Sequence, residues 1–593
     1  MFGFRSLFLG FACLALSAGA TIAQDETSFV TEAPAATLKL NVPTVLVDVV
    51  VTDKEGHAVP GLTKDDFQVT ENGQSQDIDF FEPHFAAAPG AAQTAPPLPP
   101  NTFTNVPATA PNEAINVLLM DALNTQLADQ AYVHKEMVSY LASIPPGIRI
   151  GIFLLSEKLR IIQGFTQDST VLRASIARLA ANPNASPLLS SPSEAVAQGY
   201  LVNMSQDQPA GSGLLFAMAL QDFLNQQASF EYNQRLLITL DSLQTIAHYL
   251  AGVPGRKNLI WFVGSFPLCL PGVATSTLGC PYQEKYMKTI NMLAAARVSV
   301  YPMAAKGIVA PNDDISGPSQ GPSSQLVSLP GSGPLQASLS GPQFPTGPFA
   351  YLGRESWAEI TGGKAFHGND FKGELAEAIA DGSRYYTLAY TPHDRKEIGR
   401  ERKIVVNVTP GKYKLSYRRS YYEETRKELK AAEAAPAKDP LRPMMDRGMP
   451  DFTELRYRMT VAPFTPQPAP DAARAGDNAD LKPPLTRYRV NFALSTDGVN
   501  LVQGPDGVRR GSIEVALIAY SQVGKPLNWE VRIFNLAIHP EQNAIAQRSG
   551  IPFYFDIDAP PGDVYLRTGI YDTSSSRTGT LEIPLSSITV ASK

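Results

Sequence analysis

Four continuous apolar runs separated by helix-length stretches constrain this chain more than any other feature. Ala114 to Met120 ends at Asp121, Ile148 to Leu155 follows, and Asn258 to Val263 and Val298 to Tyr301 come later. Runs of this length without polar alternation read as strands covered on both faces, the habit of a mainly parallel sheet. Helical periodicity fills the intervals. A helix is expected near Leu127 to Ala142, a second carrying Val171, Leu172, Ile176 and Leu179 behind a capping Asp168, a long one from about Leu214 to Leu250, and one near Tyr286 to Ala296. Leu159 to Ile162 reads as a hairpin partner of the second strand. Residues 110–395 are therefore an α/β unit. In such sheets ligands sit beyond the carboxyl ends of the strands, where Asp121 and Gly264-Ser265 fall.

The flanks have a different rhythm. Val45, Val47, Val49 and Val51 alternate, and Asn72-Gly73 signals a hairpin between Phe67-Gln68-Val69-Thr70 and Ile78-Asp79-Phe80-Phe81. Three strands bury little on their own, so residues 38–85 are expected to pack with the strands of 385–422, making the α/β unit an insertion in a β domain. A Pro/Ala-rich linker is expected from about Ala86 to Pro111, and helix plus linker over 423–485. Residues 486–593 alternate again (Tyr488, Val490, Phe492; Ile513, Val515, Leu517) and predict a C-terminal β-sandwich. A chain of 593 residues is long enough for three or four such units.

The first residues predict export. Arg5 precedes the short apolar run Leu7 to Leu16, and Ala18-x-Ala20 offers a cleavage site, so residues 1–23 read as a signal peptide. The expected location is extracytoplasmic, periplasmic or secreted, with no membrane span left after cleavage. Cys269 and Cys280 bracket a ten-residue loop-like segment. A disulfide between them is expected, stabilising the loop by roughly 3 kcal/mol. The alternative, free thiols or a metal site, is disfavoured because no histidine lies nearby. Net charge is -6 with no basic run, which argues against a nucleic-acid partner.

The segments Val47-Asp48-Val49-Val50-Val51, Gly61-Leu62-Thr63-Lys64-Asp65-Asp66-Phe67, Leu118-Leu119-Met120-Asp121-Ala122-Leu123-Asn124-Thr125, Gly255-Arg256-Lys257-Asn258, Thr361-Gly362-Gly363 and Tyr385-Tyr386-Thr387-Leu388 occur in one order. This ordered set resembles the VWFA-related acidobacterial domain family over about residues 38–422. The resemblance implies a von Willebrand factor A-type, Rossmann-like parallel sheet with helices on both faces and, by analogy, a role in adhesion or protein binding. Many such domains hold a divalent cation through an Asp-x-Ser-x-Ser loop with further oxygen ligands from other loops. Asp121 matches the first position and Thr125 can stand for the second serine, but Leu123 fills the first serine position and cannot ligate. The aspartate implied after the Asn258–Val263 strand is replaced by Gly264-Ser265. The site is thus expected to be degenerate. Mg²⁺ or Mn²⁺ at Asp121 and Thr125 is the lesser expectation, and a metal-free surface of Asp121, Asn124, Thr125 and Ser265 the greater.

Enzyme motifs are missing. His134, His248, His367 and His393 lack metal-ligand spacing, and no nucleophile elbow, phosphate loop or dinucleotide fingerprint occurs. Cys269 has no neighbouring base, and Trp261 and Trp357 read as core. The expected protein is a non-enzymatic interaction module whose partner is a protein or other envelope macromolecule. The alternative is an envelope structural or assembly component that binds through its β domains.

Overall fold

The structure, a computed structural model, describes residues 44–85, 98–106, 115–181, 188, 212–264, 282–305, 357–393, 401–422 and 441–589, apart from positions 146, 254, 367, 369, 410, 450, 465–466 and 468–472. The chain opens with β1 (Val45–Thr52), β2 (Phe67–Glu71), β3 (Gln74–Gln76), β4 (Ile78–Phe85) and β5 (Thr102–Thr104). An α/β run follows: β6 (Ile115–Asp121), α1 (Leu127–Leu141), β7 (Arg149–Leu155), β8 (Leu159–Thr166), α2 (Ser169–Ala181), α3 (Ser212–Ala251), β9 (Lys257–Val263), α4 (Gln283–Ala295), β10 (Val298–Ala304) and α5 (Phe371–Asp381). Strands then return as β11 (Arg384–Tyr390), β12 (Glu401–Val408), β13 (Lys414–Ser416), β14 (Ser420–Tyr422), β15 (Tyr457–Pro463), β16 (Thr486–Leu494), β17 (Val502–Gln503), β18 (Arg509–Ser521) and β19 (Pro526–Ile538). The short helix α6 (Asn543–Ser549) precedes β20 (Ile551–Ala559), β21 (Val564–Asp572) and β22 (Thr578–Pro584).

The central sheet has the order β10-β9-β6-β7-β8. Four strands are parallel, and only β8 runs antiparallel, against β7. Every residue of β6 and β9 is buried, which explains their unbroken apolar composition. One face of the sheet meets α3 and α4 through Leu119, Trp261, Leu243 and Ile290. The other meets α1, α2 and α5 through Leu118, Ile260, Met137, Ile176 and Leu375. Asp168 Oδ1 accepts from Thr170 N at 2.8 Å and so starts α2, and Asp370 does the same for α5 through Gly373 N at 3.0 Å.

The outer β strands form two further bodies. Sheets β13-β1-β11-β4 and β14-β12-β2-β3 face each other across Val47, Val49, Phe67, Val69, Leu388 and Ile404. The register pairs Val47 with Leu388 and Val69 with Val406, so the two ends of this body close around the α/β run. The second body has β20-β16-β15-β5 on one side and β19, β18, β21 and β22 on the other, enclosing Val461, Phe492, Val515, Leu517, Phe555 and Leu566.

Two stretches read from sequence as linker contribute strands to this second body. β5 pairs with β15 (Thr102↔Thr460), and β15 pairs with β16 (Val461↔Val490). β15 does alternate, with Tyr457, Met459 and Val461 buried, but it is seven residues long in polar surroundings. β5 is three residues with no local pattern to find. The expected signal peptide at 1–23, all but Tyr422 of a charged helix expected over 422–434, Ser265, Cys269 and Cys280 lie outside the described residues; Tyr422 itself ends β14. Among the described residues no helix is long and apolar enough to cross a membrane.

Candidate functional site

Taken in chain order within the α/β unit, the strands stand 3-2-1-4-5, so the order reverses between β6 and β9. The carboxyl ends of these two strands frame the crevice where such folds bind ligands. Asp121 is the last residue of β6, and Val263 closes β9. After Asp121 the backbone folds over the end of β7, where Ala122 N and Leu123 N both donate to Leu155 O at 2.8 and 3.1 Å. That bend drives the Leu123 side chain into the core beneath the sheet. It also turns Asn124 and Thr125 back toward the strand ends.

The structure brings Asp121, Asn124 and Thr125 together and buries all three, at 2%, 1% and 3% exposure. Asp121 Oδ1 accepts from Asn124 N, and Oδ2 accepts from Asn124 Nδ2 and Trp261 Nε1, each at 2.9 Å. The same Asn124 amide donates to Thr239 Oγ1 at 3.0 Å, and Arg235 Nη1 reaches Asn124 Oδ1 at 3.5 Å. Thr125 Oγ1 accepts from Gly264 N at 2.9 Å, while its carbonyl accepts from Gln130 Nε2 at 2.8 Å. Burial pushes the Asp121 carboxyl up to about 6, although the Asn124 and Trp261 donors and the Arg235 charge favour its anion. Burial likewise holds the nearby His134 imidazole below its ordinary value.

Trp261, Thr239, Arg235 and Gln130 carry no label in the sequence as site residues. One signal was available. An indole N–H inside a wholly apolar strand must find an acceptor, and the carboxylate ending the adjacent strand is the nearest candidate.

These residues do not fit a hard divalent cation. Both Asp121 oxygens already accept N–H donors, Thr125 Oγ1 accepts the Gly264 amide, and the Leu123 side chain has no oxygen. A Cβ on Gly264 would stand 3.2 Å from Thr125 Cα, so a side chain there would be tightly crowded. The cavity between Asp121, Gln130 and His134 measures about 10 Å³, room for roughly one water and not for a hydrated Mg²⁺. Among the described residues no group of three His, Cys, Asp or Glu side chains is placed to hold a metal ion. The arrangement can do something else: it locks the crevice floor and fixes the exposed rim at Gln126 and Leu127.

A second polar cluster lies at the opposite end of the sheet and gathers most of the ordered sequence motifs. Arg297 donates to Asp48 Oδ1 and Oδ2 at 2.6 and 2.9 Å and to Thr387 Oγ1 at 2.7 Å. Arg256 donates to Gly362 O at 2.6 Å and Tyr301 OH at 3.0 Å, and its backbone N–H donates to Tyr385 OH at 3.1 Å. Lys257 Nζ donates to Ala296 O at 2.8 Å, and burial beside Arg297 pushes its ammonium down to about 7. Burial opposes the charge on Asp48, but Arg297 and Arg256 outweigh it and hold the carboxyl below its ordinary value. Gly363 packs so closely on Val300 O that no Cβ fits. These motif residues join the α/β unit to the β1-β11 sheet and form no open site.

The chain matches no protein-family profile and no curated protein by sequence. Solved structures align with parts of the chain at low identity and low TM-score. An aerotolerance-related membrane protein from Bacteroides fragilis NCTC 9343 aligns at 9% identity over 45% of this chain and 98% of that chain, with a TM-score of 0.22. A von Willebrand factor type A protein from Catenulispora acidiphila aligns at 9% identity over 63% of this chain and 81% of that one, with a TM-score of 0.21. The manganese-loaded TRAP protein of Plasmodium vivax aligns at 8% identity over 55% and 97%, with a TM-score of 0.22.

Proposed function

We propose that this chain is an exported, non-enzymatic protein-interaction module of the von Willebrand factor A type that binds without a metal. The observation that carries the reading is the reversal of strand order between β6 and β9, with a floor closed by Asp121, Asn124 and Trp261. A floor locked by charge-assisted hydrogen bonds holds the surrounding loops in one geometry, which lowers the ordering cost of binding. Thr125 and Asn124 act from beneath as supports, and the partner meets the exposed rim beginning at Gln126 and Leu127. The partner is a protein or another envelope macromolecule.

The competing reading places binding on the β bodies, and the exposed apolar side chains Val531 and Ile533 on β19 favour it. A photo-crosslinking residue at Leu127 (45% exposed) is compared with one at Val531 (47% exposed) in the full chain, exposed to envelope proteins. Adducts from Leu127 alone support the crevice-rim reading. Adducts from Val531 alone transfer the function to the β bodies.

A further inference from the structure

The joint between the β1-β11 sheet and the α/β unit holds a titratable group that neither the crevice nor the Asp48–Arg297 pair uses. His84, near the end of β4, lies opposite Tyr385 in register and stacks on its ring, with centroids 4.4 Å apart and planes 23° from parallel. Its side chain is 11% exposed. Nε2 is shut off from solvent and makes no hydrogen bond among the described residues. A neutral imidazole can leave that nitrogen as an idle acceptor, whereas an imidazolium puts a charged N–H there.

The surroundings are already rich in cations. Arg256 and Arg297 each place their guanidinium carbon 5.9 Å from the Tyr385 centroid, so a protonated His84 is a third cation on one ring. Lys257, at the start of β9, adds its amine behind Arg297. On β1, the Asp48 carboxylate is occupied by Arg297 and Thr387. Glu82, two residues back on β4, stands 3.5 Å from Nε2 with its own side chain 50% exposed, an acceptor at the solvent boundary. Burial holds the His84 imidazole below its ordinary value of 6.5; Arg297 adds to this, while Glu82 and Asp48 oppose it. Tyr385 carries the ring's position across the joint, because its OH accepts the Arg256 N–H at 3.1 Å.

We propose that His84 is a proton-operated release for this joint. The neutral ring backs Tyr385 and steadies the OH that receives Arg256. On taking a proton, the imidazolium leaves the stack for Glu82 and water, and Tyr385 loses its backing against Arg256 and Arg297. The folded state binds this proton less readily than the unfolded state, so the joint holds fully above about pH 6.5 and weakens as pH falls below it. The release is independent of the crevice rim, which lies at the other end of the sheet.

The test is hydrogen exchange of the Arg256 amide in the full chain, read by mass spectrometry of overlapping peptides and corrected for the intrinsic pH dependence of exchange. Between about pH 7.5 and 5, wild type is expected to lose protection at Arg256 by roughly three-fold or more. His84→Phe keeps a stacked ring that cannot titrate, and the loss is expected to be absent from it. In wild type itself, NMR with isotope-labelled histidine is expected to show the His84 ring titrating below pH 6.5, with Arg256 protection lost at the same midpoint. The proposal is overturned if the ring titrates while Arg256 protection stays constant. An equal loss in wild type and His84→Phe also overturns it, and moves the effect to the Lys257 amine, which the variant leaves in place.

Discussion

Asp48 on β1 and Arg297, between α4 and β10, form a two-pronged ion pair, with 2.6 and 2.9 Å contacts across the boundary between the β1-β11 sheet and the α/β unit. Thr387 Oγ1 donates to the same carboxylate at 2.8 Å, so three chain segments far apart in sequence meet on one aspartate. Arg297 itself has a positive φ of 57°, a backbone conformation that this arrangement holds in place.

Breaking that pair strands a mostly buried charge. Asp48→Ala is expected to destabilise the chain by about 3 kcal/mol, and Arg297→Lys to recover little because an ammonium cannot match the fork. Thermal unfolding of Asp48→Ala, Arg297→Lys, Arg297→Ala and the Asp48→Ala/Arg297→Ala double variant checks this. Additive effects of the two alanine substitutions would show that the pair is not coupled.

Asp121 makes stability depend on pH in a stated direction. Its carboxyl is raised from 3.8 to about 6 in the folded chain, so the folded state holds the proton more tightly than the unfolded state. Its contribution is full below pH 3.8 and is lost as pH rises through about 6, a change of up to about 3 kcal/mol. Asp121→Asn lacks this titration. The stability lead of wild type over the variant should therefore shrink between about pH 4 and 7, as followed by urea unfolding at fixed temperature; a lead that stays constant or grows contradicts the assignment.

Calorimetric titration of the full chain with Mg²⁺ or Mn²⁺ is expected to show no saturable heat, with Asp121→Ala behaving alike. The carboxylate oxygens and Thr125 Oγ1 already accept N–H donors, and a cation would have to displace them. Binding that vanishes in Asp121→Ala would mean that the loop opens to admit the ion.

Gly252, just past α3, abuts the Thr453 backbone so closely that a methyl group cannot be accommodated. Around it His248 meets Glu454 at 3.1 Å, and Arg456 Nη2 donates to Gly252 O at 3.3 Å. Gly252→Ala is expected to cost about 1–3 kcal/mol by pushing these bodies apart. Limited proteolysis should then cut faster near 441–456. Unchanged proteolysis would show that the contact yields without separating the bodies.

Much of the architecture was legible because burial on both faces leaves a direct compositional mark. Ala114 to Met120 and Asn258 to Val263 read as parallel strands since nearly every position is apolar, and the strands observed, Ile115–Asp121 and Lys257–Val263, are buried throughout. The capping role of Asp168 was legible for a similar reason, being settled within three residues by an orphan amide. β5 and β15 were not: β5 pairs with Met459 and Thr460 more than 350 residues away, and β15 is only seven residues long in polar surroundings.

The same division runs through the site. The sequence alone determined that Asp121 ends a strand at the crevice and that Leu123 removes one metal ligand, because both follow from local chemistry and spacing. Only the tertiary structure decided that Asp121 is a buried anchor and not an exposed ligand. The groups responsible, Arg235, Thr239 and Trp261, stand 111 to 140 residues along the chain from their partners. A carboxylate accepts whichever donors the fold delivers, and the fold of distant segments, not the loop's own residues, determines whether those donors are cations or N–H groups.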